Sequence, residues 1–374
     1  MKSSILGLLL FAIANFSCSR DISIVSTPID GLPGGKIYFQ STDASGLATG
    51  LWMIDLSGAD TTAQLVVPNL WQARLSFDKS RIAGHEFVNH GASITMFSPN
   101  GSYFGSFSLS EWPYIQFLDP SPNGSKVVAS AARFAAGSPA VCVMSSDGTD
   151  FRVVSDTSEG PDGWPLVGMF PTWSPDGSRI AYLRYYEYSD STKTVLTIIS
   201  PDGTNARDLF QAYRLAVPMW SPNGKMVACF QEPRTNSIPA PFSVRVIDVA
   251  SGASQYFVLV NSIPNPEYKS MTWSADGTLY CSGASGESEG GHSIFRISTN
   301  STEVTEIANG FKLSTIICSP DGEYVAVLGN KGTDRFSLYI MKPDGSHFRL
   351  AMHLANSIDA GVPFGFRYGF WIAN

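Results

Sequence analysis

The sequence predicts an all-β protein built from a repeated unit, and three observations carry that prediction. Only 15% of the 374 residues are Asp, Glu, Lys or Arg, while 44% are hydrophobic and 12% aromatic, a balance that excludes disorder and disfavours long solvated helices. The 34 glycines and 23 prolines supply turns in quantity. The third observation is a recurring phrase: Trp173-Ser174-Pro175-Asp176-Gly177, Trp220-Ser221-Pro222-Asn223-Gly224 and Trp273-Ser274-Ala275-Asp276-Gly277, with weaker copies starting at Leu75, Pro120 and Cys318. These anchors lie 45, 53, 47, 53 and 45 residues apart, and a period near fifty signals a repeat architecture.

Within each unit the elements follow from local chemistry. Asp-Gly or Asn-Gly supplies the positive-φ positions of a tight turn, Pro before it presets φ, and the flanking Trp and Ile-Ala runs pack on sheet faces. This makes the phrase a hairpin between a first and a second strand. About twenty residues later a third strand ends in another turn, as in Ile198-Ile199-Ser200-Pro201-Asp202-Gly203, and a short fourth strand follows, as in Phe151 to Val154. Four antiparallel strands per unit make a propeller blade. At the N-terminal side, Lys36 to Phe39 reads as a second strand with no first strand before it. Phe364 to Trp371 reads as a first strand with nothing after it, and Trp371 lies 53 residues past Cys318. The reading is a seven-bladed β-propeller, with six blades as the alternative, closed by a strand shared between the termini.

The chain divides into residues 1–17 as an export signal, 18–34 as a tether and 35–374 as a single propeller domain. Lys2 followed by the apolar run Ile5 to Ala14 has the pattern of a signal segment too short to span a bilayer. Two processing sites compete. Ala12-Ile13-Ala14 fits an ordinary secretory cleavage site, whereas Phe16-Ser17-Cys18-Ser19 resembles a bacterial lipobox that would lipidate Cys18. The expected location is the periplasm, soluble or anchored in the outer membrane, with membrane contact only through lipid at Cys18. Cys142, Cys229, Cys281 and Cys318 have neither a disulfide-framework nor a CxxC spacing and read as buried free thiols.

The phrases WSPDGSRIAYL, MWSPNGKMVACF, TWSADGTLYCS and CSPDGEYVAVL resemble the repeat of the TolB-like propeller family, related to WD-repeat propellers, and the resemblance covers nearly all of the chain after the leader. It implies an exported or periplasmic binding platform, often part of an envelope assembly. Related repeats also occur beside peptidase domains and in some polysaccharide lyases.

The residues themselves show no catalytic constellation, cofactor motif or metal site. Gly286-Glu287-Ser288-Glu289-Gly290 satisfies G-x-S-x-G but lacks the strand–helix context of a nucleophile elbow. His85, His90 and His292 could converge only if two loops of different units met, and Asp147-Gly148-Thr149-Asp150 reads as a turn. A net charge of −7, from 25 bases and 32 acids, argues against nucleic acid. Binding is expected on the longer connections, opposite the tight Asp-Gly turns. There Arg184, Tyr185, Tyr186, Glu187, Glu232 and Arg234, with Trp112, Trp164 and Tyr213 on the links between units, combine aromatic area with Arg, as interface hot spots do. The expected function is a non-enzymatic scaffold, monomeric or within a larger complex, that binds an envelope protein or a glycan. The alternative is a carbohydrate-active lyase or hydrolase with its site at the channel mouth, so the enzyme question stays open.

Overall fold

Alternating apolar and polar residues between turn phrases form strands throughout, and the computed structural model contains no helix among the described residues. These are residues 34–373, apart from 43–47, 58–62, 89–90, 136, 159–165, 188–191, 233–239, 264–267, 285–290, 332–336 and 354–368. The signal segment, Cys18 and most of the tether lie outside them.

The strands in chain order are β1 (Lys36–Thr42), β2 (Ala48–Asp55), β3 (Ala63–Pro68), β4 (Trp71–Leu75), β5 (Ile82–Val88), β6 (Gly91–Phe97), β7 (Tyr103–Ser108), β8 (Tyr114–Pro120) and β9 (Lys126–Ala132). There follow β10 (Ala140–Ser145), β11 (Arg152–Val153), β12 (Val167–Trp173), β13 (Ile180–Glu187), β14 (Thr192–Ile199), β15 (Arg207–Ala212), β16 (Arg214–Trp220), β17 (Met226–Glu232), β18 (Ala240–Asp248) and β19 (Ser254–Ile263). The last are β20 (Tyr268–Trp273), β21 (Leu279–Ala284), β22 (His292–Ile297), β23 (Val304–Cys318), β24 (Val325–Lys331), β25 (Ser337–Met341), β26 (Arg349–His353) and β27 (Gly369–Ile372).

They form a β-propeller with five separate four-stranded blades, β27-β1-β2-β3, β4–β7, β8–β11, β12–β15 and β16–β19, together with one seven-stranded sheet, β20–β26. This corrects the expected seven, or six, separate blades. The reason is β23, fifteen residues long, which pairs with β22 along Val304–Phe311 and with β24 along Phe311–Cys318. The last strand of one repeat therefore continues without a break into the first strand of the next, and two repeats fuse into one hydrogen-bonded sheet. The pairing of the ends is as expected: Lys36↔Ile372, Ile37↔Trp371, Tyr38↔Phe370 and Phe39↔Gly369 join β1 to β27.

The serine of the repeated phrase has a role in the turn. Ser174 Oγ donates to Asp176 Oδ1 at 2.6 Å and accepts from Arg179 N at 2.9 Å, while Ser178 N donates to the same Asp176 oxygen. Ser121 with Asn123, Ser221 with Asn223, and Ser319 with Asp321 repeat the arrangement. Burial pushes the Asp176, Asp276 and Asp321 carboxyls up, but the serine, threonine and backbone donors outweigh it and hold all three below the usual range. A folded-state value below the unfolded one means a contribution that is complete above about pH 4 and lost as the pH falls through the depressed values. The part of the stability that these turns supply is thus expected to be level from pH 7 to pH 5 and to be lost toward pH 3, so that the fall in melting temperature between pH 5 and pH 3 should be shallower in an Asp176→Asn/Asp276→Asn/Asp321→Asn variant. An unchanged melt at pH 3 would contradict this.

Candidate functional site

The first strands of four successive units, β4, β8, β12 and β16, converge on a cavity of about 10 Å³, walled by Gln72, Arg74, Phe117, Phe170, Val217 and their neighbours. That is room for about one water. In β4, β12 and β16 the register breaks three residues before the anchor, and Gln72, Phe170 and Val217 sit there at φ of 51°, 53° and 50°; in β8 it breaks one residue earlier, at Gln116. Left-handed backbone in Phe, and above all in β-branched Val, is strained and marks a bulge that the surrounding sheets enforce. Phe117 and Phe170 meet across the wall at 4.1 Å between centroids.

Beside the cavity, Asp119 ties three units together. It faces Arg74 at 3.8 Å and accepts hydrogen bonds from Thr172 Oγ1 at 3.0 Å and Trp173 N at 2.9 Å. Burial raises its pKa above the carboxylate norm, and the Arg74 charge offsets that only in part. The phrase tryptophans extend the tie around the ring. Trp173 Nε1 donates to Asp119 O, Trp220 Nε1 to Thr172 O and Trp273 Nε1 to Met219 O, at 3.1–3.2 Å, each reaching the carbonyl just before the preceding anchor. Sequence reading gave these indoles a packing role and missed the bond. The signal was present, because a repeated Trp in a buried setting needs a partner for its N–H at a repeated position.

Among the described residues expected to bind, Trp112 and Tyr213 lie on links between strands, as expected, whereas Arg184 to Glu187 and Glu232 are strand ends instead of loops. Arg184, Tyr185, Tyr186 and Glu187 are the last four residues of β13, and Glu232 ends β17, because both strands stay paired to their full length with the strand before them or after it. Arg184 is committed internally: its guanidinium bonds both oxygens of Asp208 on β15 at 2.6 and 2.5 Å, across the intervening strand β14. Tyr185 Oη donates to Leu215 O of the next unit at 3.2 Å. Three aromatic–guanidinium pairs recur on successive units, with Arg133 over Trp112 at 5.0 Å, Arg184 over Tyr186 at 5.5 Å and Arg214 over Tyr213 at 5.7 Å. Phe134, next to Arg133, is 72% exposed. Trp164 and Arg234 lie outside the described residues.

The histidines do not assemble. His85 is buried within β5, where burial lowers its pKa to about 4 and keeps it neutral, and His292 opens β22 in another sheet. Both were expected in loops. His90 and Gly286–Gly290 lie outside the described residues, among which no three His, Cys, Asp or Glu side chains group as metal ligands. Cys142, Cys229, Cys281 and Cys318 are free thiols. Burial pushes Cys142 up to about 12 and the other three upward as well, which keeps the reactive thiolate form away at neutral pH.

A surface that sequence reading missed lies at the opposite, tight-turn end of the β4–β7 sheet, where Phe77, Tyr103 and Phe104 are 56%, 65% and 50% exposed. The signal was the weak copy of the phrase, which carries Phe77-Asp78-Lys79 in place of Pro-Asp-Gly.

No protein-family model matches the chain, and no curated protein matches it by sequence. Solved structures do match. An oligogalacturonate lyase solved with manganese shares 12% identity, with 85% of each chain covered and a TM-score of 0.57. Puromycin hydrolase shares 15% identity over 87% of this chain and 53% of its own, with a TM-score of 0.57. TolB from Acinetobacter baumannii shares 17% identity over 90% of this chain and 66% of its own, with a TM-score of 0.48. The chain thus spans just under two thirds of TolB and about half of the hydrolase. At these identities the likeness is one of fold, and the fold is that of a β-propeller.

Proposed function

We propose that the chain is an exported scaffold, non-enzymatic and held to the envelope by lipid at Cys18, whose loop-rich end binds an envelope protein or glycan. One observation supports this above others: the aromatic–guanidinium pairs at Trp112, Tyr186 and Tyr213 recur along one end of three successive rigid sheets, with Phe134 exposed beside the first. Amphipathic aromatics and Arg on a pre-organised frame are the residues that dominate association energies. Because Arg184 also holds Asp208, the aromatic members are the residues to remove. Affinity capture from envelope extracts is expected to lose its specific partner with a Trp112→Ala/Tyr186→Ala/Tyr213→Ala variant that melts like the wild type. Equal recovery of every partner would sink the reading.

A second reading, a carbohydrate-active lyase or hydrolase, has the Arg74–Asp119 pair beside the channel cavity in its favour. Turnover in a polysaccharide panel, abolished by Arg74→Gln, would establish it over the first.

A further inference from the structure

The turn between β4 and β5 departs from its counterparts at two positions while keeping their geometry. At Gly124, Gly177, Gly224, Gly277 and Gly322 the equivalent turns use glycine at φ between 65° and 86°. Here the residue is Lys79, at φ 62°, in a region that glycine enters freely and lysine does not. The position held by Pro122, Pro175, Pro222, Ala275 or Pro320 elsewhere is Phe77, and its ring projects into solvent. The hydrogen-bond frame is intact: Asp78 Oδ1 accepts from Ser76 Oγ at 2.7 Å, Ser80 N at 2.9 Å and Ser80 Oγ at 2.7 Å. The fold therefore needs neither substitution, and the lysine carries backbone strain that a glycine would remove. Strain retained against the demands of the fold is the observation from which a functional role is inferred.

What surrounds the turn indicates the ligand. Antiparallel pairing puts the start of β7 at the same end of the sheet, and a bulge opposite Met96 and Phe97 accompanies Tyr103 and Phe104 there. Arg81 lays its guanidinium on Phe104, 3.6 Å from the ring centroid, and donates to Ser80 O at 3.2 Å. Neither Arg81 nor Lys79 forms an ion pair with a carboxylate among the described residues. Three exposed rings, each of roughly 150–250 Å² in full, and two cations outside any close ion pair thus share one end of one sheet in a chain of net charge −7. The charge of Arg81 also acts on Asp78, whose carboxylate is occupied by the Ser76 and Ser80 donors of the turn.

We infer that this end of the β4–β7 sheet binds an anionic polysaccharide of the uronic-acid type. The rings stand on tight hairpins, so they offer flat platforms for the C–H faces of successive pyranoses. The guanidinium, held flat on Phe104, keeps its N–H edge for a sugar carboxylate, and Lys79 supplies a second charge. The site lies at the opposite end of the molecule from the aromatic–guanidinium pairs, so it stands or falls independently of them.

The test restores the repeat. A Phe77→Pro/Lys79→Gly variant and a Tyr103→Ala variant are compared with the wild type for binding to polygalacturonate by isothermal titration calorimetry, with a neutral β-glucan and poly-L-glutamate as competing classes. The wild type is expected to bind polygalacturonate, more weakly as salt rises, and neither of the other two. Both variants should bind at least tenfold more weakly, and the double variant should melt at or above the wild-type temperature. The proposal is overturned if the wild type ignores polygalacturonate, if either variant binds it undiminished, or if poly-L-glutamate binds as well, which would assign the patch to acidic polypeptides. A double variant that melts well below the wild type would also overturn it, by making Phe77 and Lys79 structural.

Discussion

Removing residues 369–374 is expected to leave a chain that aggregates or fails to melt cooperatively. Strand β27 has four residues, yet it covers the whole inner edge of β1 from Lys36 to Phe39. Its Trp371 is 4% exposed and belongs to a cluster with Ile37, Phe39, Trp52 and Ile54 of the N-terminal blade and Ile317, Ala326, Leu328 and Ile340 of the last sheet. Phe370 stacks on Tyr38 at 5.1 Å, and Gly369 lies so close to Ile317 that an added Cβ would fall 2.4 Å from its Cδ1. Truncation would uncover an apolar seam and an unpaired strand edge together, the combination that invites edge-to-edge association. Trp371→Ala alone is expected to cost about 3–5 kcal/mol, a large part of the roughly 5–15 kcal/mol that folded domains possess. Circular dichroism melts with light scattering decide the matter: a truncated chain that melts at the full-length temperature as a monomer would refute closure through β27.

The second large effect is expected at Asp119. Asp119→Ala removes the acceptor of Thr172 Oγ1 and Trp173 N and leaves the Arg74 guanidinium, with only 18% of its side chain exposed, without this carboxylate. Breaking a largely buried pair from one side costs about 3–5 kcal/mol, because the remaining charge keeps its desolvation cost and loses this carboxylate's compensation. Asp119→Asn keeps an acceptor for the Trp173 N–H and should cost less, which separates the hydrogen bonds from the charge. The sign of the pH dependence is opposite to that of the turn aspartates. Burial raises the folded-state pKa of Asp119, so ionising it weakens the fold as pH rises through that value, and Asp119→Asn should remove this component. Urea melts of the two variants at neutral pH measure the difference, and an alanine variant as stable as the wild type would exclude Asp119 from the tie between units.

Much of the fold was legible because its signals are local and repeated. Asp or Asn before Gly specifies a tight turn wherever it stands, and six copies of one phrase made the unit visible. The fusion of two repeats through β23 was not legible, because nothing local distinguishes Val304–Cys318 from two separate strands, and only pairing on both sides makes it continuous. At the site the residue types were informative and their commitments were not. Arg184 and Tyr186 stood out as an aromatic–Arg pair, but Asp208, which engages Arg184, lies 24 residues away on a strand two places across the sheet. Asp119 escaped notice because a single acid before a proline has no pattern of its own until Arg74, from another unit, comes to face it.

The sequence by itself determined the all-β class, the repeating unit, the turn chemistry and the meeting of the chain ends, since each depends on backbone preferences and apolar alternation within a few residues. Tertiary structure alone decided which repeats merge into one sheet, which indoles and carboxylates bind units to one another, and which aromatics are left in water. Those outcomes depend on pairings between residues tens of positions apart, where the cost of burying a charge or an N–H without a partner selects the arrangement.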